Sequence, residues 1–251
     1  MIIKTNALVI KEQDVGESDR LVTLLTQTDG IIRAFARKAK SLKDSKNSST
    51  SILTYSKFSI YKGKDKYIID SASPIEVFFE LRHNIEALTL AQYFCELSNL
   101  LIPEQINSSD ILKVVLNSIY FLTTNKKSLK LIKAITEIKL CCLSGYMPDL
   151  VACKECVCYE SNFWNFLIPS SRIICSDCLL KFRQSERSIR INHTVLTSLR
   201  FIIYSDINKI YSFNIPENDI KSLSSVCEQY ILSILEKVPF TLEFFKNITE
   251  D

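Results

Sequence analysis

Four cysteines carry the clearest chemistry in this sequence. Cys153-Lys154-Glu155-Cys156 and Cys175-Ser176-Asp177-Cys178 form two C-x-x-C pairs, set apart by the roughly 15–20 residues of a four-cysteine zinc site. Each pair aims two sulfurs at one ion, and the spacer lets the second turn return to complete a tetrahedron. Four thiolates fill the shell of zinc, so the site has no open position for water or substrate and reads as structural. Its binding energy, about 10–16 kcal/mol in zinc-finger peptides, would then be folding energy for the knuckle. Cys158 lies close by as a rival ligand, at a spacing that fits the turn less well than Cys156.

The remaining cysteines read differently. Cys95, Cys141, Cys142 and Cys227 sit in apolar helical patterns and are expected to be small core residues rather than reactive thiols. Nine cysteines in 251 residues is an odd number in a chain too long for a disulfide-stapled mini-domain, which favours a reducing cytoplasm. No P-loop, nucleophile elbow, H-E-x-x-H or dinucleotide fingerprint is present, and four glycines in the whole chain leave no Gly-rich phosphate cradle. His83 and His193 stand alone and read as surface or capping residues. The expectation is a protein that is not an enzyme. The N-terminus has no signal-peptide pattern, and no apolar run approaches the ~18 residues of a membrane span.

A second candidate site is basic. Arg33, Arg37, Lys38, Lys40, Lys43 and Lys46 are opposed locally only by Asp44. The first of them belong to Ile31-Ile32-Arg33-Ala34-Phe35-Ala36-Arg37, where small apolar residues alternate with basic and aromatic ones. A charge run is most often a solvated face. Here it continues from a strand carrying Phe35, and a basic groove with an aromatic is how single-stranded nucleic acid is held on barrel folds. The polar stretch 38–49 is expected to be mobile in isolation. A net charge of +3 is too mild to argue for nucleic acid by itself.

These residues must be positioned by two kinds of structure. Residues 3–72 read as five short strands, with Asp29-Gly30 as a tight hairpin turn and no helical period between them, which suggests an OB-like barrel. From Pro74 the pattern turns helical, with Val77, Phe78 and Leu81 opening a stripe that runs to Pro103. Further helices are expected from Ser109, from about Leu129 to Gly145, and twice after Cys178. Between the two cysteine pairs, Phe163-Trp164-Asn165-Phe166 and Ile173-Ile174 suggest a hairpin that carries the second pair back to the first. The fold class is α+β: an N-terminal OB-fold β-barrel, residues 1–78, then an α-helical domain, residues 79–251, with a zinc knuckle inserted at 151–180.

Several stretches together resemble the RecO family of bacterial recombination mediators. They are Ala7-Leu8-Val9-Ile10, then Gly16-Glu17-Ser18-Asp19-Arg20-Leu21-Val22-Thr23-Leu24-Leu25. They continue with Gly30 to Ala36-Arg37-Lys38-Ala39-Lys40, and with Leu143-Ser144-Gly145-Tyr146-Met147-Pro148 leading into the cysteines. The resemblance implies a DNA-repair protein that binds single- and double-stranded DNA and anneals complementary strands. It also implies work with RecR and with single-stranded-DNA-binding protein so that recombinase can load, in the cytoplasm and associated with the nucleoid. By position it places the basic DNA-binding surface on the six cations named above, and zinc on Cys153, Cys156, Cys175 and Cys178. Asp19 and Arg20 read as mainly structural, fixing the first barrel turn. The alternative is a non-catalytic protein-interaction scaffold with a structural zinc site.

Two departures stand out. Where the family often has glycine after the first C-x-x-C, this chain has Val157, and where a glycine pair often precedes the second, it has Ser170-Ser171. Glycine eases positive-φ turns around a metal, so these positions bear on knuckle geometry.

Overall fold

In a computed structural model the chain is described at residues 1–41, 46–64, 66–104, 106–181 and 186–249. It divides into two compact units, Met1–Lys126 with Pro239–Asp251, and Lys127–Val238.

The first unit is built on a closed barrel. Its strands are β1 (Ile2–Val15), β2 (Asp19–Thr26), β3 (Ile31–Ala36), β4 (Thr54–Lys62) and β5 (Tyr67–Val77), with a one-turn helix α1 (Lys46–Ser49) between β3 and β4. The order β1-β2-β3-β5-β4, closed by a parallel β3–β5 pairing at Ala34–Tyr67 and Phe35–Ile68, is the five-stranded Greek-key arrangement of an OB fold. β1 serves two partners, pairing β4 along its first half and β2 along its second, and bends through a bulge between Val9 and Lys11. The expected hairpin is present: Thr26 N–H donates to the Gly30 carbonyl at 3.0 Å, and Gly30 takes φ +63°.

Period-2 alternation sets the barrel interior. Val22, Leu24, Ile32, Ala34, Ala36, Phe58, Ile60 and Ile69 point inward, while Arg33 and Arg37 are exposed and Phe35 half-buried. Ala7-Leu8-Val9-Ile10 breaks the alternation, all four being buried. The helices α2 (Ile85–Leu101) and α3 (Ser109–Thr124) pack against β1, so both faces of that strand are covered. Only an unbroken apolar run satisfies such a position.

The expected helical start at Pro74 is overturned. β5 continues to Val77, a 3₁₀ turn spans Phe79–His83, and α2 begins at Ile85, capped by the Asn84 side chain, which accepts from Ala87 N–H at 3.0 Å. Pro74 lies opposite Ser56 at an irregularity in the β4–β5 register. A strand tolerates proline at such a point because the missing N–H is not needed there.

The second unit holds α4 (Leu129–Leu143), then β6 (Asp149–Cys153), β7 (Trp164–Leu167), β8 (Arg172–Cys175), α5 (Ser176–Lys181), β9 (Ser188–Ile191), α6 (His193–Tyr204) and α7 (Glu217–Leu235). The last described element, α8 (Phe240–Thr249), belongs to the first unit and packs on α2. The strands form a sheet in the order β6-β8-β7-β9. The expected hairpin is β7–β8; the sequence reading missed β6 and β9. α4 is buried at every residue from Leu131 to Cys141, including Lys133, whose ammonium lies 2.8 Å from both Glu137 and Glu228. Gly145, at φ +93°, stops this helix as expected. Among the described residues no helix is long and apolar enough to cross a membrane.

Candidate functional site

The knuckle is assembled by strand pairing. β6 and β8 run parallel, with Cys153 opposite Ile173, so the two strands deliver their C-terminal ends side by side. Cys153 closes β6, Cys175 closes β8, and Cys178 stands in the turn of helix that follows. The Sγ atoms of Cys153, Cys156, Cys175 and Cys178 all lie within 4.8 Å of one another, and those of Cys156 and Cys175 are 3.7 Å apart. A tetrahedron with zinc–sulfur bonds of ~2.3 Å has sulfur–sulfur edges of about 3.8 Å. The thiols are therefore spaced to hold a tetrahedral metal ion.

Backbone amides already treat these sulfurs as acceptors. Cys175 N–H donates to Cys153 Sγ and Cys178 N–H to Cys175 Sγ, each at 3.4 Å. The Cys158 N–H, followed by the Cys158 and Cys178 thiols, holds the Cys156 thiol down to about 6. Desolvation, then the neighbouring Cys156 and Cys175 thiols, pushes Cys158 up to about 12. Three of the four thiols are buried and Cys156 is exposed. A cavity of about 670 Å³ opens beside them, bordered by Cys156, Cys158, Tyr159, Lys181 and His193. Val157 and Ser171 adopt φ +59° and +56°, so two of the chain's departures from glycine fall at left-handed positions. The sheet is tied to its helices by Arg200, which donates to the Leu150 carbonyl at 2.7 Å and the Val151 carbonyl at 2.9 Å.

The other cysteines lie where the sequence suggested. Cys95, Cys141 and Cys227 are buried and Cys142 half-buried, and desolvation pushes the Cys95 and Cys142 thiols up to about 12. His83 and His193 are exposed.

On the barrel, the basic residues separate into groups. Arg33, Arg37 and Lys38 are exposed. Lys40 is engaged with Asp14 at 3.1 Å, and Lys46 donates to the Arg37 carbonyl at 3.4 Å. Lys43 lies outside the described residues. Arg33 and Phe35 line a groove of about 430 Å³ together with Lys62, Lys66 and Tyr67, with the Lys62 ammonium 5.6 Å from the centre of the Tyr67 ring. Among the described residues, three cations outnumber the two carboxylates there, Asp29 and Glu104. The sequence reading assigned no role to Lys62, Lys66 or Tyr67. The available signal was the succession of Lys62, Lys64 and Lys66 through the β4–β5 connection, a loop that binds oligonucleotides on OB folds.

Asp19 and Arg20 have the structural role read from the sequence, and it reaches further than the first turn. Asp19 accepts from Lys38 N–H at 2.9 Å, fixing a residue at φ +57° where the basic segment leaves β3. This bond, with that from Ser18, lowers the Asp19 carboxyl below its usual value. Arg20 donates to the Asn47 carbonyl at 3.0 Å, Ser51 Oγ at 3.3 Å and Thr50 Oγ1 at 3.4 Å, fixing the point where the segment rejoins the barrel. Its Nε is buried without a hydrogen-bond partner and has Asp14 at 3.8 Å. Adjacent side chains thus hold both ends of the basic connection.

Comparison with known proteins agrees with this architecture. Residues 1–78 match the family model described as Recombination protein O N terminal, and residues 82–242 the one described as Recombination protein O C terminal. The chain is 32% identical over 248 residues to a DNA repair protein RecO of Acetivibrio thermocellus, covering 98% of this chain and 97% of that one. It is 28% identical over 249 residues to the DNA repair protein RecO of Alkaliphilus metalliredigens, covering 99% and 100%. A further relative of that name, from Dehalococcoides mccartyi, is 29% identical over 247 residues, covering 98% and 96%. With its closed N-terminal barrel, its helical continuation and matches spanning nearly its full length, the chain belongs to the RecO family of DNA repair proteins.

Proposed function

We propose that this chain is a non-catalytic mediator of DNA repair that binds single- and double-stranded DNA and anneals complementary strands. It works with RecR and single-stranded-DNA-binding protein so that recombinase loads on the coated strand, in the cytoplasm at the nucleoid. In this reading residues 1–78 form the nucleic-acid-binding domain and residues 79–251 a helical domain that carries the knuckle, 151–180. The observation that carries it is the barrel groove in which Arg33, Lys62 and Lys66 stand with Phe35 and Tyr67. Cations track a phosphate backbone without reading sequence, and aromatic rings accept the faces of unstacked bases. Arg37 and Lys38 extend the basic strip past the end of β3, and Lys40, Lys43 and Lys46 continue it. Lys40 contributes least, because Asp14 already neutralises it.

Zinc on Cys153, Cys156, Cys175 and Cys178 would hold the knuckle's sheet together and take no part in DNA chemistry. Four thiolates leave the ion no vacant position, so its effect is confined to folding.

The test is binding to a fluorescent oligonucleotide across a salt series. Replacing Arg33, Arg37 and Lys38 together with glutamate should weaken binding and lower the salt slope on single strands by about 2, with the melting profile unchanged. Phe35→Ala and Tyr67→Ala should lower affinity at a constant salt slope. Annealing of complementary strands, bare and coated with single-stranded-DNA-binding protein, should fall in step with affinity. Unaltered affinity at matched salt in the triple variant overturns the assignment of the surface. Retention of RecR with no DNA binding by the unmodified chain favours the scaffold reading.

A further inference from the structure

The first unit carries a second groove whose charge is opposite to that of the first. Its cavity of about 450 Å³ is lined by three aromatic residues, Tyr55, Phe78 and Tyr120, together with Glu76, Glu80 and Asn117. Tyr55 of β4 stands opposite Glu76 of β5. Phe78 and Glu80 follow as the chain leaves β5 through the 3₁₀ turn, and that turn packs on α3, which supplies Asn117 and Tyr120. Glu76 and Glu80 are exposed. Among the described residues neither has an ion-pair partner, and no lysine or arginine lines the groove. Tyr120 is 54% exposed and Phe79, beside Phe78 in the chain, 55%. Aromatic faces set among carboxylates recognise cations. A guanidinium or ammonium over a ring face gains about 0.5–1 kcal/mol at an exposed site and about 2 kcal/mol when desolvated. The adjoining ring already does this within the chain, with the Arg82 guanidinium 5.2 Å from the centre of Phe79. The same two carboxylates repel phosphate, so nucleic acid does not fit this groove. Guanidinium fits best, because its planar fork pairs with carboxylate and its face stacks on aromatic rings.

We propose that this groove docks a basic, arginine-bearing segment of a partner protein. An arginine enters among the rings of Tyr55, Phe78 and Tyr120 and pairs with Glu76 and Glu80. The position of the groove lets DNA be held at the same time. Lys62 and Tyr67, which line the basic groove, are partners across the same two strands as Tyr55 and Glu76. They lie seven residues further along β4, about 23 Å at the rise of a strand. A partner seated at the acidic end leaves the basic end free. Docking stands without the DNA reading, and only simultaneous occupancy rests on it.

The probe is a short fluorescent peptide of alternating glycine and arginine, with a counterpart in which citrulline, the neutral isostere, replaces each arginine. Fluorescence anisotropy with the full chain should show the arginine peptide bound and the citrulline peptide bound about tenfold more weakly or not at all. Glu76→Gln/Glu80→Gln should weaken the arginine peptide about five- to tenfold and lower the salt dependence. Tyr120→Ala should weaken it about two- to fivefold at an unchanged salt dependence. Glu17→Gln/Glu217→Gln removes the same charge from exposed positions outside the groove and should change affinity by less than about twofold. No binding of the arginine peptide, equal affinity for the two peptides, or equal losses in the two double variants each overturns the proposal. A dimer of the unmodified chain that Glu76→Gln/Glu80→Gln dissociates makes the occupant a second copy and also overturns it. Oligonucleotide affinity should be the same in the two double variants, and a difference between them overturns simultaneous occupancy. Failure of the unmodified chain to bind oligonucleotide overturns the DNA reading and simultaneous occupancy, while the peptide measurements decide docking by themselves.

Discussion

Lys38 and Val157 both occupy the left-handed region of backbone space, at φ +57° and +59°, and the two are held there by different means. Lys38 follows β3 of the barrel, whose interior is filled by its own strands, and Asp19 accepts its N–H from a neighbouring strand. Val157 lies in the turn that follows β6 of the small sheet, where its N–H donates to the Cys153 carbonyl at 3.0 Å and the residue is 61% exposed. The barrel turn is fixed by protein hydrogen bonds on a packed scaffold. The knuckle turn sits beside four sulfurs that lie within 4.8 Å of one another, and under the proposed zinc binding the ion would supply its cross-link. Perturbing each should therefore have separate consequences.

With zinc on the four cysteines as proposed, the largest effect should come from its removal. Chelation, or Cys175→Ser, removes up to the about 10–16 kcal/mol that zinc contributes to comparable modules. Hydrogen exchange should show protection lost across β6 to β9 and retained in β1 to β5. Simultaneous loss in the barrel would break the comparison.

Next is the buried ion cluster on α4. Desolvation pulls the Lys133 ammonium down, but Glu137 and Glu228 outweigh it and leave it raised. A raised cation contributes stability that is complete below its unfolded value near 10.4 and is lost as pH rises through the higher folded value. Lys133→Met leaves Glu137 buried and short of its cation, at a cost of about 3–5 kcal/mol in denaturant melts at neutral pH. Adding Glu137→Leu should recover part of that cost.

Arg20→Ala should cost about 1.5–3 kcal/mol through its lost charged hydrogen bonds, and it should raise amide exchange at residues 47–51. The knuckle's metal affinity should not change. Asp19 sharpens the same point by pH. A lowered carboxyl stabilises above its unfolded pKa, with a usual value of 3.8, and that contribution is lost as pH falls through the lower folded value. Protection of the Lys38 amide should hold from neutral pH to about 4 and decline below it, whereas Asp19→Asn should weaken it throughout.

The smallest effect is a gain. Val157→Gly relieves a left-handed β-branched residue whose side chain buries little, and should stabilise the metal-loaded knuckle by about 1 kcal/mol. Ser171 offers no such gain, because its Oγ accepts from the Tyr230 hydroxyl at 3.2 Å. A destabilised Val157→Gly knuckle would show that the turn is not strained.

Where signals were local, the sequence was readable. Ile32, Ala34 and Ala36 alternating with Arg33, Phe35 and Arg37 declared an inside and an outside of β3, because side chains in a strand point to opposite faces by necessity. Each C-x-x-C turn declared two sulfurs that meet, since a turn of that length brings both to one point. The helical start at Pro74 was misread because proline punctuates either a helix boundary or a strand irregularity, and only the pairing with Ser56 separates the two. β9, a short Ser-Ile-Arg-Ile stretch, has too few residues to show a period.

The sequence by itself therefore determined the barrel's alternation, the helical stripes, the cysteine pairs and the basic stretch after β3. Each is a pattern among residues near one another along the chain, where backbone geometry alone fixes which side chains share a face. The tertiary structure decided which groups meet across long separations. It set Arg20 against Asn47, Thr50 and Ser51, Lys133 against Glu228, and Lys62, Lys66 and Tyr67 beside Arg33 and Phe35. In the knuckle it brought the sulfurs of Cys153, Cys156, Cys175 and Cys178 within 4.8 Å of one another. Periodicity carries no information about such partners, because they are chosen by strand order and helix packing.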